Sequence, residues 1–388
     1  LNTTLIRQLN VARVFHALRQ HPGSSQRELA EYTQLDKATI SAVVRQLVQE
    51  GLIARRDKPT AGKVGRPEVA LTLSSEAGIL VGARLEPKSI RLIASYIDGR
   101  VIGAHQVAGS VALAESVSLL RAGFDALLAV LALPESQVKG LGVGIPALID
   151  LEGRLAFAPN LGWRNADVVS RLGEAFRVPV NVDNDTKAAA LAEKLFGACQ
   201  EVRDFVFISG HSGVGAGLYL EDKLYRGHGG FAGELGHMTV IPEGRLCSCG
   251  NRGCLEAYVS EAAILRQIAE LGLELPDVWT VREAAADVRV AQVLQQAATA
   301  LAIAVKNVVN LCNPERVVFG GNLAVIAPLL LPTVARYLAE HALEAICQQC
   351  QLVISPLGIE SVPMGGVALA LEHFLALPTW LASEQLRS

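Results

Sequence analysis

Long uncharged hydrophobic runs are missing from this 388-residue chain. No stretch reaches the ~18 apolar residues of a membrane-spanning helix, and even the window from Val111 to Leu133 carries Glu115, Arg121 and Asp125. No membrane span is expected. The opening residues, Leu1 to Arg7, lack the apolar core and small-residue cleavage site of a secretory leader, so the expected location is cytoplasmic. Charge is scarce, at 19% against 51% hydrophobic residues, which excludes a largely disordered chain. Cysteine is scarce as well. Seven is an odd number and too low a density for a disulfide scaffold, and three of the seven crowd into positions 247–254. At ~100–200 residues per domain the length accommodates two or three domains, each with a core of its own.

The small net charge of −3 hides an asymmetry. Positions 1–70 hold 11 basic and 6 acidic residues, and the remainder holds 24 and 32. A basic head on an acidic body points to a polyanion met by the head alone. Within that head, Leu5, Leu9, Ala12, Phe15 and Leu18 recur at helical spacing, and His21-Pro22-Gly23 ends the helix. Ser25 with Glu28 forms a capping box for a second helix, and Asp36 caps a third that runs to about Glu50, with Gly51 at the C′ position. Two short helices joined by a tight turn are laid out as a helix-turn-helix, whose second helix offers Lys37, Thr39, Ser41 and Arg45 to DNA. The basic stretch Arg55 to Lys63 and the alternating Val69, Leu71 and Leu73 read as a hairpin wing. Arg66, between Gly65 and Pro67, is its minor-groove candidate.

From Ala77 the texture changes. Strands are expected at Ile79–Arg84, Ser89–Tyr96 and Arg100–Val107, a helix at Ala114–Leu131, and a buried strand at Lys139–Ile145. A helix over Asn165–Phe176 and a strand over Val178–Val182 follow. A second set has strands at Phe205–Ser209, Ala216–Leu220 and Val317–Phe319 and a long helix at about Val290–Leu311. A strand meander followed by helix, occurring twice, implies two α/β lobes with a cleft between them.

His237, Cys247, Cys249 and Cys254 supply one imidazole and three thiolates, a complete tetrahedral set for a structural Zn²⁺. Cys347 and Cys350 read as helix residues, and Cys199 and Cys312 as core thiols. Asn184 and Asp185, at the mouth of a strand, pair a carboxamide with a carboxylate, a combination suited to sugar hydroxyls, although Asp183 or Asp185 could instead cap the following helix.

Leu235–Glu256 resembles the signature of the ROK family of repressors, open reading frames and sugar kinases. With the winged head it resembles the family's repressor branch over essentially the whole chain. The resemblance implies an actin-like, hexokinase-like two-lobed α/β body behind a winged helix-turn-helix domain. It divides the chain into a head at 1–75, a first lobe at 76–188 plus about 370–388, and a second lobe at 189–369. It assigns Glu234, His237, Glu256 and, more weakly, Asn160 to sugar contact, and Asp185 to the position of the kinases' base.

The phosphate loops depart from the kinase pattern. Where the kinases carry Asp-x-Gly-Gly-Thr-Lys, this chain has Arg84, Glu86 and Pro87, and their Gly-Thr-Gly begins here with His211. A proline has no amide proton to give a phosphate, and Glu86 would repel a triphosphate. Gly320-Gly321 and Gly365-Gly366 are expected in tight strand-to-helix turns. The implied function is a sugar-responsive regulator that binds an operator as a homodimer or homotetramer. Its effector would be a sugar or sugar phosphate, with a sugar-transport protein as an alternative input. An ATP-dependent sugar kinase with an appended head is the alternative.

Overall fold

In a computed structural model the described residues are 3–57, 69–75 and 77–375. The head consists of α1 (Thr3–Gln20), α2 (Gln26–Thr33), α3 (Lys37–Gln49), β1 (Ile53–Asp57) and β2 (Val69–Leu73). Its caps follow the sequence signals. Ser25 and Glu28 close a reciprocal capping box on α2, and the Asp36 carboxylate accepts from the Ala38 and Thr39 amides at the start of α3. β1 and β2 pair antiparallel from Ile53↔Leu73 to Asp57↔Val69, the base of a wing. Lys58, Lys63 and Arg66 lie outside the described residues.

The body repeats one arrangement. The first lobe has β3 (Ile79–Leu85), β4 (Ser89–Tyr96), β5 (Val101–Ala108), α4 (Leu113–Val130) and β6 (Val138–Ile145). After these come β7 (Leu148–Ile149), β8 (Leu155–Ala158), β9 (Trp163–Ala166), α5 (Val168–Ala175), β10 (Val180–Asn184) and α6 (Asp185–Leu195). The second lobe has β11 (Phe205–Gly210), β12 (Val214–Leu220), β13 (Lys223–Tyr225), α7 (Glu256–Val259), α8 (Glu261–Glu270), α9 (Val278–Glu283), α10 (Val288–Cys312) and β14 (Arg316–Gly321). It continues with α11 (Leu323–His341), α12 (Glu344–Cys347) and β15 (Gln351–Ile354), and α13 (Ser361–Phe374) closes the described chain. The sheets run β10-β6-β3-β4-β5 and β13-β12-β11-β14-β15. Each is an antiparallel meander whose first strand also starts a parallel run, because the later strands arrive by helical crossovers.

Three differences from the sequence expectation have physical causes. The helix expected from Asn165 starts only at Val168, under an Asp167 cap; Trp163–Ala166 instead joins β7 and β8 in a three-stranded sheet. Gly365 and Gly366 occupy no turn. They lie inside α13, where Gly366 lets the helix sit on the backbone of Gly142 and Gly82 in the first sheet. Two helices, α10 and α11, run against the expectation that no stretch is long and apolar enough for a membrane span. Both are long and apolar enough to cross a membrane, with mean hydropathies of 1.3 and 1.4, yet they pack on each other in the second lobe's core.

The head is not a separate bead. Val14, Phe15 and Leu18 of α1 and Ile40, Val44 and Leu47 of α3 share one buried cluster with Leu191 and Leu195 of α6 and Val367 and Leu371 of α13. Full burial of each such side chain contributes ~1.5–3 kcal/mol.

Candidate functional site

On the head, α3 turns Ile40, Val43, Val44 and Leu47 inward and leaves Lys37 and Arg45 exposed. Ser41 is half-buried beside them. The Thr39 hydroxyl is spent inside the helix, donating to the Asp36 carboxylate at 2.6 Å, so this residue holds the cap instead of presenting a free donor. Ala38, Ala42 and Gln49 complete the exposed face. The sequence reading looked for donors and passed over the alanines, whose small size permits close approach of the helix to a groove floor.

The body's candidate residues converge on the cleft at the N-terminus of α6. Asn184, not Asp183 or Asp185, caps this helix. Its Oδ1 accepts from the Thr186 and Lys187 amides at 3.1 and 3.0 Å, and its Nδ2 donates to the Ala147 carbonyl at 3.0 Å. That leaves one amide hydrogen for a ligand. Asp183 is taken up by Arg226, whose Nη1 lies 3.1 Å and Nη2 2.5 Å from its two carboxylate oxygens. Asp185 stands at the foot of the cleft. Burial raises its carboxyl above the usual range, while hydrogen bonds from Thr186 and the charges of Arg84 and Lys187 pull it back.

Glu234 lies within electrostatic reach of Lys187, His237, Asp185 and Glu256. Burial pushes its carboxyl up as well, against Lys187. Lys187, which the sequence reading did not single out, is buried on α6 between Asp183 and Glu234. Desolvation lowers its ammonium and these carboxylates hold it up. Glu256 has both oxygens occupied: Oε2 accepts from the Val214 amide at 3.0 Å and Oε1 from the Ser248 hydroxyl at 2.8 Å. Asn160 is exposed and donates to the Ser212 hydroxyl at 3.3 Å, its Nδ2 lying beside Gly213, the glycine that meets the Glu256 carboxylate. The structure thus gathers Asp185, Glu234, His237 and Glu256, makes Asn184 mainly a cap, and sets Asn160 beside Gly213 at the Glu256 corner.

His237, Cys247, Cys249 and Cys254 each offer a ligand atom, and all four atoms lie within 4.8 Å of one another. The loop closes because Gly253 sits at φ +77° with its Cα against the Ile241 carbonyl; a Cβ there would stand 1.7 Å from that oxygen. This cluster could hold a metal ion. Cys347 ends the short helix α12 and Cys350 follows it, Cys199 is buried, and Cys312 is half-buried; none belongs to a metal-binding group among the described residues.

Arg84 on β3 and His211 after β11 meet across the cleft, with Arg84 Nη1 3.0 Å from His211 Nδ1. Arg84 also pairs with Glu86 at 3.4 Å.

Residues 110–373 match the ROK family and residues 7–63 the MarR family. A xylose repressor of Caldicellulosiruptor bescii is 31% identical, the alignment covering 98% of this chain and 99% of that protein. The crystal structure of a ROK family transcriptional regulator, a homologue of the Escherichia coli MLC protein, superposes with a TM-score of 0.80 at 29% identity. It covers 95% of this chain and 97% of that one. A ROK family glucokinase from Streptomyces griseus, in complex with glucose and AMPPNP, gives 0.67 at 25% identity over 75% of this chain and 99% of its own. With one contiguous match spanning most of its length, the chain belongs to the ROK family.

Proposed function

We propose that this chain is a sugar-responsive transcriptional repressor of carbohydrate uptake or catabolic genes, working in the cytoplasm as a homodimer on a palindromic operator. The observation that carries the reading is that α6 touches both functions. Its first residue is Asp185, and its C-terminal cap Phe196 lies under the Arg19 guanidinium of α1, 5.5 Å from ring centroid to Cζ. Arg19 and Gln20 also bond to Gln200 just beyond. A sugar held by Asp185, Glu234, His237 and Glu256 would bias α6, and with it the spacing of two heads set about one DNA turn apart. Only a difference in sugar affinity between the two states drives such a switch; moving from mostly bound to mostly free takes about 10⁴-fold, ~5.5 kcal/mol.

The metal cluster fits Zn²⁺. A tetrahedral ion with thiolates at ~2.3 Å and an imidazole at ~2.0–2.1 Å sets S···S near ~3.8 Å and S···N near ~3.6 Å, and the Cys249–Cys254 and Cys247–His237 ligand atoms are each 3.8 Å apart. When bound there, zinc supplies rigidity, since four protein ligands leave no open position. His237 with Nδ1 toward the cluster keeps Nε2 for a sugar hydroxyl. Ser248 and Glu256 tie the loop to the cleft.

Kinase chemistry is disfavoured by Glu86 and Pro87 in the first phosphate loop and His211 in the second. The test combines two assays on one sugar panel: an electrophoretic shift with operator fragments selected from genomic DNA, and a coupled ATPase measurement. A sugar or sugar phosphate that changes operator affinity without ATP turnover supports the reading. Saturable turnover, or indifference of operator binding to every sugar tried, sinks it.

A further inference from the structure

We propose that Arg84 and His211 form a latch between the lobes, so that the cleft is held at a fixed spacing by the protein's own side chains in the place where a kinase holds nucleotide phosphates. Arg84 projects from β3 of the first lobe, and His211 from the end of β11 of the second, 127 residues later. The two replacements complement each other. Arg84 Nη1 stands 3.0 Å from His211 Nδ1 and 3.4 Å from Nε2, so the guanidinium rests over the ring, a cation–π contact that requires the neutral imidazole. Burial and the neighbouring guanidinium together push His211 well below its usual range and keep it in that form.

Behind the ring, the Asn322 side chain lies close to His211, and its Nδ2 donates to Glu261 at the start of α8. Glu261 in turn accepts from the Val278 amide at 2.8 Å. On the first-lobe side Arg84 is anchored by Glu86. A cation on one lobe thus faces a neutral ring on the other, with the Asn322–Glu261 pair behind that ring.

Space confirms the fit. Gly321 adopts φ +61°, and a Cβ on it would stand 2.5 Å from His211 Nε2, so the imidazole occupies the room above this glycine. His211 is 5% exposed, and the Arg84 and Glu86 side chains 13% and 14%. A ring with no rotatable bond beyond χ2 holds a spacing more firmly than the glycine it replaces.

The test of the latch needs neither sugar nor DNA. Amide hydrogen exchange is followed on the full-length chain in peptides covering 84–89 and 209–214, with 90–107 as the internal control. His211→Ala is expected to speed exchange about tenfold in both test peptides, as for loss of a desolvated cation–ring contact, and to leave the control unchanged. His211→Phe, which keeps a ring face for the guanidinium, brings both back toward wild type. Arg84→Ala with His211→Ala together exchange no faster than the faster single variant. ATP with Mg²⁺ adds no protection to the wild-type chain.

The latch is refuted if His211→Ala loosens only 209–214, if the two substitutions multiply, or if ATP protects the wild type. Should Arg84→Ala fail to fold, His211→Ala and its phenylalanine counterpart decide the matter alone. Operator binding by the same variants is a separate measurement, so failure of the latch and failure of the repressor reading remain distinguishable.

Discussion

Gly142→Ala is expected to be among the most damaging single-methyl additions in the chain. Gly142 lies on β6, and its Cβ would fall 2.0 Å from the Gly366 carbonyl oxygen of α13. Ordinary contact begins at 3.4 Å, so helix and sheet must part by about 1.4 Å. Neither partner is a side chain that can swing away. Both are backbone, and the neighbouring Gly82 is as tight, with its Cβ position 1.9 Å from the Pro363 carbonyl.

Overpacking typically costs ~1–3 kcal/mol, and a backbone-on-backbone clash belongs at the upper end, about 3 kcal/mol. At ~2–4 °C per kcal/mol for a lobe of this size, the melting temperature should fall by ~6–12 °C. Because α13 also packs along α6, the same substitution should weaken sugar binding at Asp185. Differential scanning calorimetry reads the first effect and a sugar-dependent thermal shift the second. Gly173→Ala on α5, where a Cβ meets nothing within 4 Å, is the control and should be neutral or slightly stabilising. A Gly142→Ala melting point within ~2 °C of wild type would refute the reasoning.

Further outcomes are expected. Arg45→Ala should weaken operator binding by ~1–3 kcal/mol and leave sugar affinity intact, whereas Asp185→Ala should leave unliganded operator binding intact and abolish the sugar response; electrophoretic shifts read both. Chelation, or Cys249→Ser, should remove about one metal equivalent by elemental analysis. It should also lower stability by ~2.7 kcal/mol relative to chain held at a free-metal concentration 100-fold above Kd. Asp185→Asn should stabilise the chain against urea at alkaline pH. The folded Asp185 carboxyl is raised by burial, so the native state binds more protons and its stability declines as pH rises through that value. The variant lacks that decline, and its advantage should vanish in acid; an advantage that grows as pH falls would contradict the assignment.

Much of this architecture was legible because its signals are local. Ser25 with Glu28, and Asp36 ahead of an apolar stripe, specify caps within four residues, and the structure places them there. The Cys247–Cys254 spacing brings thiolates together through the loop alone. What escaped notice depends on distant partners. The seat of α13 needs Gly142 against Gly366, 224 positions away, and a glycine pair in isolation reads equally well as a turn. α11 carries Pro328 and Pro332 within an apolar run, and burial in the second lobe outweighs the propensity those prolines oppose. Asn184 became the cap because β10 extends two residues past the expected Val182, pairing Asn184 with Ile145.

The continuity of Phe15 and Leu18 with Leu195 and Val367 bears on how such regulators can be recombined. A chimera made by cutting near position 75 would strand a greasy seam on each half and mismatch it in the hybrid. Swapping DNA specificity between relatives therefore calls for transplanting the α3 surface alone, or for carrying the matching faces of α6 and α13 along with the graft.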